Sequence, residues 1–398
     1  MATAHSSTVP LVMGVLLLGS SGALAQVPYT PASDAAIVAR LPAGAAVSRG
    51  ATAHLRQRAT ARPHDSQAAV DLARHYLAIG RAAGDPRYYG YAQAALAPWW
   101  PLDSPPVAVQ LLRAVIRQAR HDFPGALADL DAVLRRQPRN PQAWLSRAVV
   151  LMAKGEPLQG LTSCVRLARL ADPLSYTACT ALAAGRLGQG AVGYRQLERV
   201  LGLGLAAEPA VELWAISLLG ELAHGLGRFD DALTAYRRAL AMGRRNVYLL
   251  AAYSDALLAA GRPGEVVELL AGETGNDGLL LRLALAEKQL DHPDFAVHRA
   301  LLAARQRAAR ARDDTLHLRE GARAALELFD DPHGALNLAL ANWELQREPP
   351  DARLVLAAAL AAEQPGAAAG VLGWLTLTGL EHVAITPLVE RLTTARVG

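Results

Sequence analysis

The chain is short of four things, and each shortage narrows what it can be. Lysine is nearly missing: Lys154 and Lys288 are the only two among 40 basic residues, which reads first as the codon bias of a GC-rich genome. With 36 acidic residues interspersed, the formal charge is only +4 over 398 residues. That is too small and too evenly spread for a nucleic-acid footprint. Aromatics are scarce, 5% against 52% hydrophobic residues in all. A β-sandwich needs β-branched and aromatic side chains, whereas Ala- and Leu-rich helices pack through small residues. Long apolar runs are missing beyond the first two dozen residues, because Arg, Asp or Glu interrupts each one. No transmembrane segment is expected in the mature chain. Catalytic signatures are missing as well: there is no HExxH, no GxSxG, no Walker A loop, and no GxGxxG following a strand. The nearest glycine-rich stretch, Gly202 to Leu205, falls between predicted helical hairpins. No enzymatic activity, cofactor or metal is expected.

What is present begins at the N-terminus. Met1–Pro10 is polar, Leu11–Gly19 is a short apolar run, and Ala23-Leu24-Ala25 precedes Gln26. This is the layout of a signal peptide over residues 1–25, although its first ten residues hold no Lys or Arg. The apolar run is too short to span a bilayer, and the lack of a nearby Cys excludes a lipoprotein anchor. The mature chain is expected to be exported, to a periplasm first and secreted as the alternative. Residues 26–64, rich in Ala, Pro and Ser, read as a flexible or loosely docked lead-in, with Ala51–Arg62 able to form a helix.

From residue 65 to 378 one unit recurs. Trp214–Leu240 shows it best: a helix holding Leu219-Gly220, a break at Gly227, and a second helix with Ala232, Tyr236 and Ala239 on one face. A small residue in the first helix is followed twelve positions later by another in the second. The pairs are Ala114 and Ala126, Ala148 and Gly160, Ala181 and Gly193, Gly220 and Ala232. They continue as Ser254 and Val266, Ala284 and Ala296, Arg323 and Ala335, Ala357 and Ala369, with a breaker or polar turn inside each. Successive pairs are spaced by 30 to 39 residues, mostly near 34. About nine hairpins are predicted, followed over 379–398 by a capping helix (His382–Leu392) and tail.

The period, with Leu219-Gly220, Ala232, Tyr236 and Ala239, and the weaker matches around Trp144, Ala148, Gly155 and Pro173, resembles the tetratricopeptide repeat (TPR). The block Asp85–Trp100 looks similar to one in exported bacterial TPR proteins. The resemblance implies an all-α, right-handed superhelical solenoid of antiparallel hairpins. Two departures stand out: Arg323 occupies a slot meant for a small side chain, and the second helix around Phe295–Arg312 is about a turn too long. The resemblance also implies a non-enzymatic scaffold that holds a protein or peptide on its concave face. The alternative is a subunit of a cell-envelope or polysaccharide export assembly.

In TPR arrays the concave face is lined by first helices, which here implies Arg74, Gln118, Gln142, Trp214, Glu221, His224, Tyr248, Asp255, His317 and Glu320. Apolar neighbours such as Leu77, Leu111, Val115 and Met152 would make its N-terminal half hydrophobic. Such a face wants a cover: a partner peptide, or residues 26–64 folded back as a plug. Glu221, His224 and Asp255 are the only trio eligible for acid–base work. His317 and Glu320 sit one turn apart without a third metal ligand and read as exposed polar residues. The Arg299, Arg305, Arg307, Arg310, Arg312 run reads as a solvated helix face. Cys164 and Cys179, the only cysteines, sit at similar heights on neighbouring antiparallel helices. In an oxidising compartment they are expected to bridge; otherwise they fill core gaps as thiols.

Overall fold

The computed structural model describes Ser33 and residues 45–312 and 317–395. The expected signal peptide and the lead-in before residue 45, apart from Ser33, lie outside these. The chain divides into two units, Met1–Gly50 and Ala51–Gly398; helix α1 (Ala45–Ala61) begins in the first and ends in the second. Everything below concerns the second.

All regular structure among the described residues is helical. Nine hairpins follow α1: α2 (Ser66–Ala83) with α3 (Arg87–Ala95), α4 (Val107–Ala119) with α5 (Phe123–Arg136), and α6 (Pro141–Lys154) with α7 (Pro157–Val165). Next come α8 (Pro173–Arg186) with α9 (Gly190–Gly202), α10 (Pro209–Gly225) with α11 (Phe229–Ala241), and α12 (Val247–Ala259) with α13 (Pro263–Leu269). The last three are α14 (Asp277–Gln289) with α15 (Phe295–Arg310), α16 (Leu318–Glu327) with α17 (Pro332–Leu345), and α18 (Pro349–Ala361) with α19 (Ala369–Thr378). α20 (Thr386–Ala395) packs on α18, and Ile385 and Leu392 are sealed in the C-terminal core.

The sequence writes these boundaries in capping chemistry. Asp65, Asp122, Asn140, Asp172, Asn246, Asn276 and Asp331 each accept backbone N–H groups at a helix start, satisfying donors that have no partner inside the helix. Proline opens many of the helices, where its missing N–H costs nothing. Every hairpin turns on one residue of positive φ: Gly84, His121, Gly155, Gly188, Gly227, Gly261, Asp291, Asp330 and Glu363. Four of the nine are therefore not glycine and hold a conformation that a Cβ disfavours.

The small-residue pairs seat as expected through the first five: Ala114/Ala126, Ala148/Gly160, Ala181/Gly193, Gly220/Ala232 and Ser254/Val266 are all buried. The last three slip. Ala296 is exposed, Arg323 is half-buried beside fully buried Ala322, and Ala369 is exposed beside buried Ala368. Turn length is the cause. Gly225 and Phe229 are separated by three residues, Glu327 and Pro332 by four, Gln289 and Phe295 by five. Each added residue rotates the second helix by about 100° against the first. In the ninth hairpin a 3₁₀ turn (Pro365–Ala368) precedes α19 and winds more tightly. Arg323 thus never stood in the small slot; Ala322 does, packed with Ala335.

Cys164 on α7 and Cys179 on α8 are joined, with Cα atoms 5.4 Å apart and both side chains fully buried.

The turns of early hairpins also touch late ones. Arg347 donates its backbone N–H to Ala153 (2.8 Å), Trp374 Nε1 donates to the Gly155 carbonyl (2.9 Å), and Val383 N–H donates to Gly225 (2.8 Å). Asn276 Nδ2 reaches the Gly84 carbonyl at 3.3 Å. Gly188 comes so near Gly379 that an added Cβ would meet its carbonyl oxygen at 2.2 Å. Contacts spanning more than a hundred residues hold the array along its length.

Candidate functional site

The first helices turn one face away from their partners, and over α8 to α18 these faces carry two polar networks. Asp255 on α12 accepts from Arg282 Nη2 on α14 and Arg323 Nη1 on α16, both at 2.6 Å. Arg323 also donates to Glu327 (2.9 Å), which accepts from Arg353 on α18 (2.7 Å). Arg319 forks onto Asp351 (2.6 and 2.8 Å) and reaches Glu348 (2.7 Å), while Arg186 on α8 approaches Glu348 at 3.4 Å. Asp351 is fully buried, accepts from Asn342, and closes a capping box with Glu348 at the start of α18.

Apart from Asp351 these charges are half-buried, and their titration is set by their partners. Burial alone would raise the Asp255 carboxyl, but Arg282 and Arg323 outweigh it and hold it far below the carboxylate range. Glu327 and Glu348 are lowered in the same way, against burial, by Arg323 with Arg353 and by Arg319 with Arg186. Glu221 goes the other way: burial raises its carboxyl, although Tyr248 donates a hydrogen bond to it. His121 and His224 are lowered by burial first, and His382 is brought down to about 3 by burial and the charge of His224. The His224 and His382 rings lie 5.8 Å apart. Among the described residues three buried side-chain atoms have no hydrogen-bond partner: His121 Nδ1, Arg186 Nε and Tyr236 Oη.

The sequence-derived residues scatter across this picture. Glu221, His224, Tyr248 and Asp255 are brought together, but not alike. Asp255 is consumed by two arginines, and His224 faces His382 and Phe229. Tyr248 keeps 55% of its surface open, and its phenol is pushed up by burial and by the Glu221 carboxylate beside it. Trp214 is half-buried between two cores. Glu320 sits in the first turn of α16 and His317 caps its start, both half-buried. Arg74 and Gln142 are exposed and Gln118 is half-buried. The expected apolar groove is partly core instead: Leu77 and Met152 are buried within hairpin packing. In the arginine run, Arg305 binds the Thr274 carbonyl and Asp277 (2.8 Å each), and Arg299 lies over the Phe329 ring. Sequence pattern missed Arg186, Arg282, Arg319, Glu348 and Asp351, whose partners lie one or more repeats away. A further cleft of about 700 Å³ lies between α7, α8, α9 and α19, with exposed Leu158, Val165, Val192 and Leu377 on its walls.

An array of hairpins turning on one left-handed residue and crossing at small side chains defines a helical repeat scaffold. The family model for the tetratricopeptide repeat matches residues 111–161 and 218–271, so these two stretches carry repeats of that family. No curated protein matches the chain in sequence. Among solved structures it is similar to a TPR protein from Parabacteroides merdae (12% identity, 60% of this chain and 92% of that one, TM-score 0.38). It is also similar to a TPR protein of Thermus thermophilus (22% identity, 48% and 98%, TM-score 0.38). Human IFIT1, solved as a dimer with PPP-AAAA, is similar at 13% identity (84% and 80%, TM-score 0.48).

Proposed function

We propose that this chain is an exported, non-enzymatic scaffold that holds a protein partner against the inner face of its middle repeats, with Tyr248 as anchor. One observation carries the reading. Tyr248 is a large aromatic, 55% open, on the inner face of α12, and its hydroxyl is fixed by Glu221. An aromatic with a rigid ring and a polar tip is the residue type most enriched at binding hot spots. The ion pairs around it are satisfied within the chain, so they supply a stiff frame. The Cys164–Cys179 bridge supports export, since such bonds persist in oxidising compartments.

The test is site-specific photo-crosslinking in the native host. A benzophenone amino acid at position 248 should trap a discrete protein partner, while the same probe at exposed Arg237 on α11 should not. Equal trapping at both positions, or none at 248, would sink the reading.

A further inference from the structure

The turn between α14 and α15 concentrates ligands that the repeat does not need. Glu287, in the last turn of α14, is only 1% exposed. His292 and Asp294 stand in the turn, and His298 lies in the first turn of α15. One ligand atom each from Glu287, His292 and Asp294 lie within 4.8 Å of one another. Both Glu287 oxygens face His298 Nδ1, at 2.8 and 2.9 Å.

A buried carboxylate at this place is costly unless positive charge or hydrogen-bond donors meet it. The C-terminal end of a helix carries the negative end of its dipole, so Glu287 stands where anions are disfavoured. Burial adds a desolvation cost that such partners offset. Elsewhere in this chain buried acids meet arginine, as Asp129 meets Arg113 and Asp351 meets Arg319. Among the described residues Glu287 and Asp294 form ion pairs with histidine alone. Lys288 next door points away, donating to the Glu327 carbonyl.

We infer that the α14–α15 turn binds one divalent transition-metal ion of the zinc class. Glu287, His292 and Asp294 are its ligands, and His298 is a positioning residue that orients Glu287. An imidazole with two carboxylates suits zinc, cobalt or nickel; calcium and magnesium prefer shells of oxygen alone. A histidine donating to the second oxygen of a ligating carboxylate is the usual outer support for such a site. Bonds of about 2.1 Å to each ligand place the donor atoms roughly 3 to 4 Å apart. His292 Nδ1 and Asp294 Oδ2 are already 4.0 Å apart, and Nδ1 would exchange the Asp294 backbone N–H that it accepts at 3.3 Å for the ion. The remaining closure falls to Asp294, whose side chain is 64% exposed and free to turn.

The test is titration of the tag-free, full-length chain with cobalt(II) chloride, read by visible absorption, followed by competition with zinc or calcium. One cobalt equivalent should bind, displaced by zinc and not by calcium. His292→Ala and Asp294→Asn should each weaken binding at least tenfold, and His298→Gln by about 10- to 100-fold. His292 and Asp294 are in the exposed turn, so their variants should keep the wild-type unfolding midpoint even where Glu287→Gln fails to fold. Absence of cobalt bands, or affinity unchanged in both turn variants, would overturn the site.

Discussion

The Tyr236 ring lies so close to Gly220 that a Cβ there would meet it at 2.8 Å, and its hydroxyl is fully buried without a partner. An orphaned buried hydroxyl is a cost and not a contact. Tyr236→Phe should therefore hold or raise stability, by up to about 1 kcal/mol, as read from the urea midpoint. Asp351 is the opposite case. It accepts from Arg319, Asn342 and the Glu348 backbone, so Asp351→Ala strips the half-buried Arg319 guanidinium of its two-pronged partner, leaving it Glu348 alone, and opens the cap of α18. The expected loss is about 3 to 5 kcal/mol, and denaturant unfolding at neutral pH would show it. A loss under 1 kcal/mol would mean that Arg319 finds water or another acid.

At the scale of the element, the turn decides how each hairpin packs. Gly188 has φ +70° and faces the Gly379 carbonyl. Gly188→Ala thus meets both backbone strain and a steric block, and should cost about 2 to 4 kcal/mol. Gly264→Ala, with open space around the added Cβ, is the matched control. The Cys164–Cys179 bridge ties two consecutive hairpins across 15 residues. Reducing it should lower stability by about 3 kcal/mol in the chain-entropy account, measured by denaturation with and without a thiol-free reductant. An unchanged midpoint would show that helix packing alone holds the α7–α8 contact.

At the scale of the molecule, contacts between early turns and late hairpins should make stability depend on pH. His121, His224 and His382 have pKa values lowered in the folded state, and His382 falls to about 3. Between that value and the ordinary histidine range near 6.5 the unfolded chain binds more protons, so stability falls as pH drops through this window. The lowered carboxyls of Asp255, Glu327 and Glu348 extend the loss to more acid pH, because they stabilise the fold only while ionised. Glu221, raised by burial, opposes the trend in part. The unfolding midpoint should drop steadily from pH 7 to pH 4. His382→Gln should flatten the upper part of that slope, and an identical slope in the variant would contradict the assignment.

The sequence by itself determined the repeat. Small residues, prolines, Asp and Asn caps and turn breakers act within one hairpin, and local interactions of that kind are readable at short range. Leu219-Gly220 with Ala232, Tyr236 and Ala239 showed both the unit and the family it resembles, and the family model matches that stretch. The same spacing misplaced Ala296, Arg323 and Ala369, because one or two extra turn residues rotate a helix face without altering its composition. Only the tertiary structure decided what the inner face became. Asp255 is paired from α14 and α16, His224 faces a histidine more than 150 positions away, and Trp374 binds the turn at Gly155. Those partners are set by how many repeats complete the path back to the chain's own early turns. No local pattern encodes that number, because it is the sum of small rotations between neighbouring hairpins.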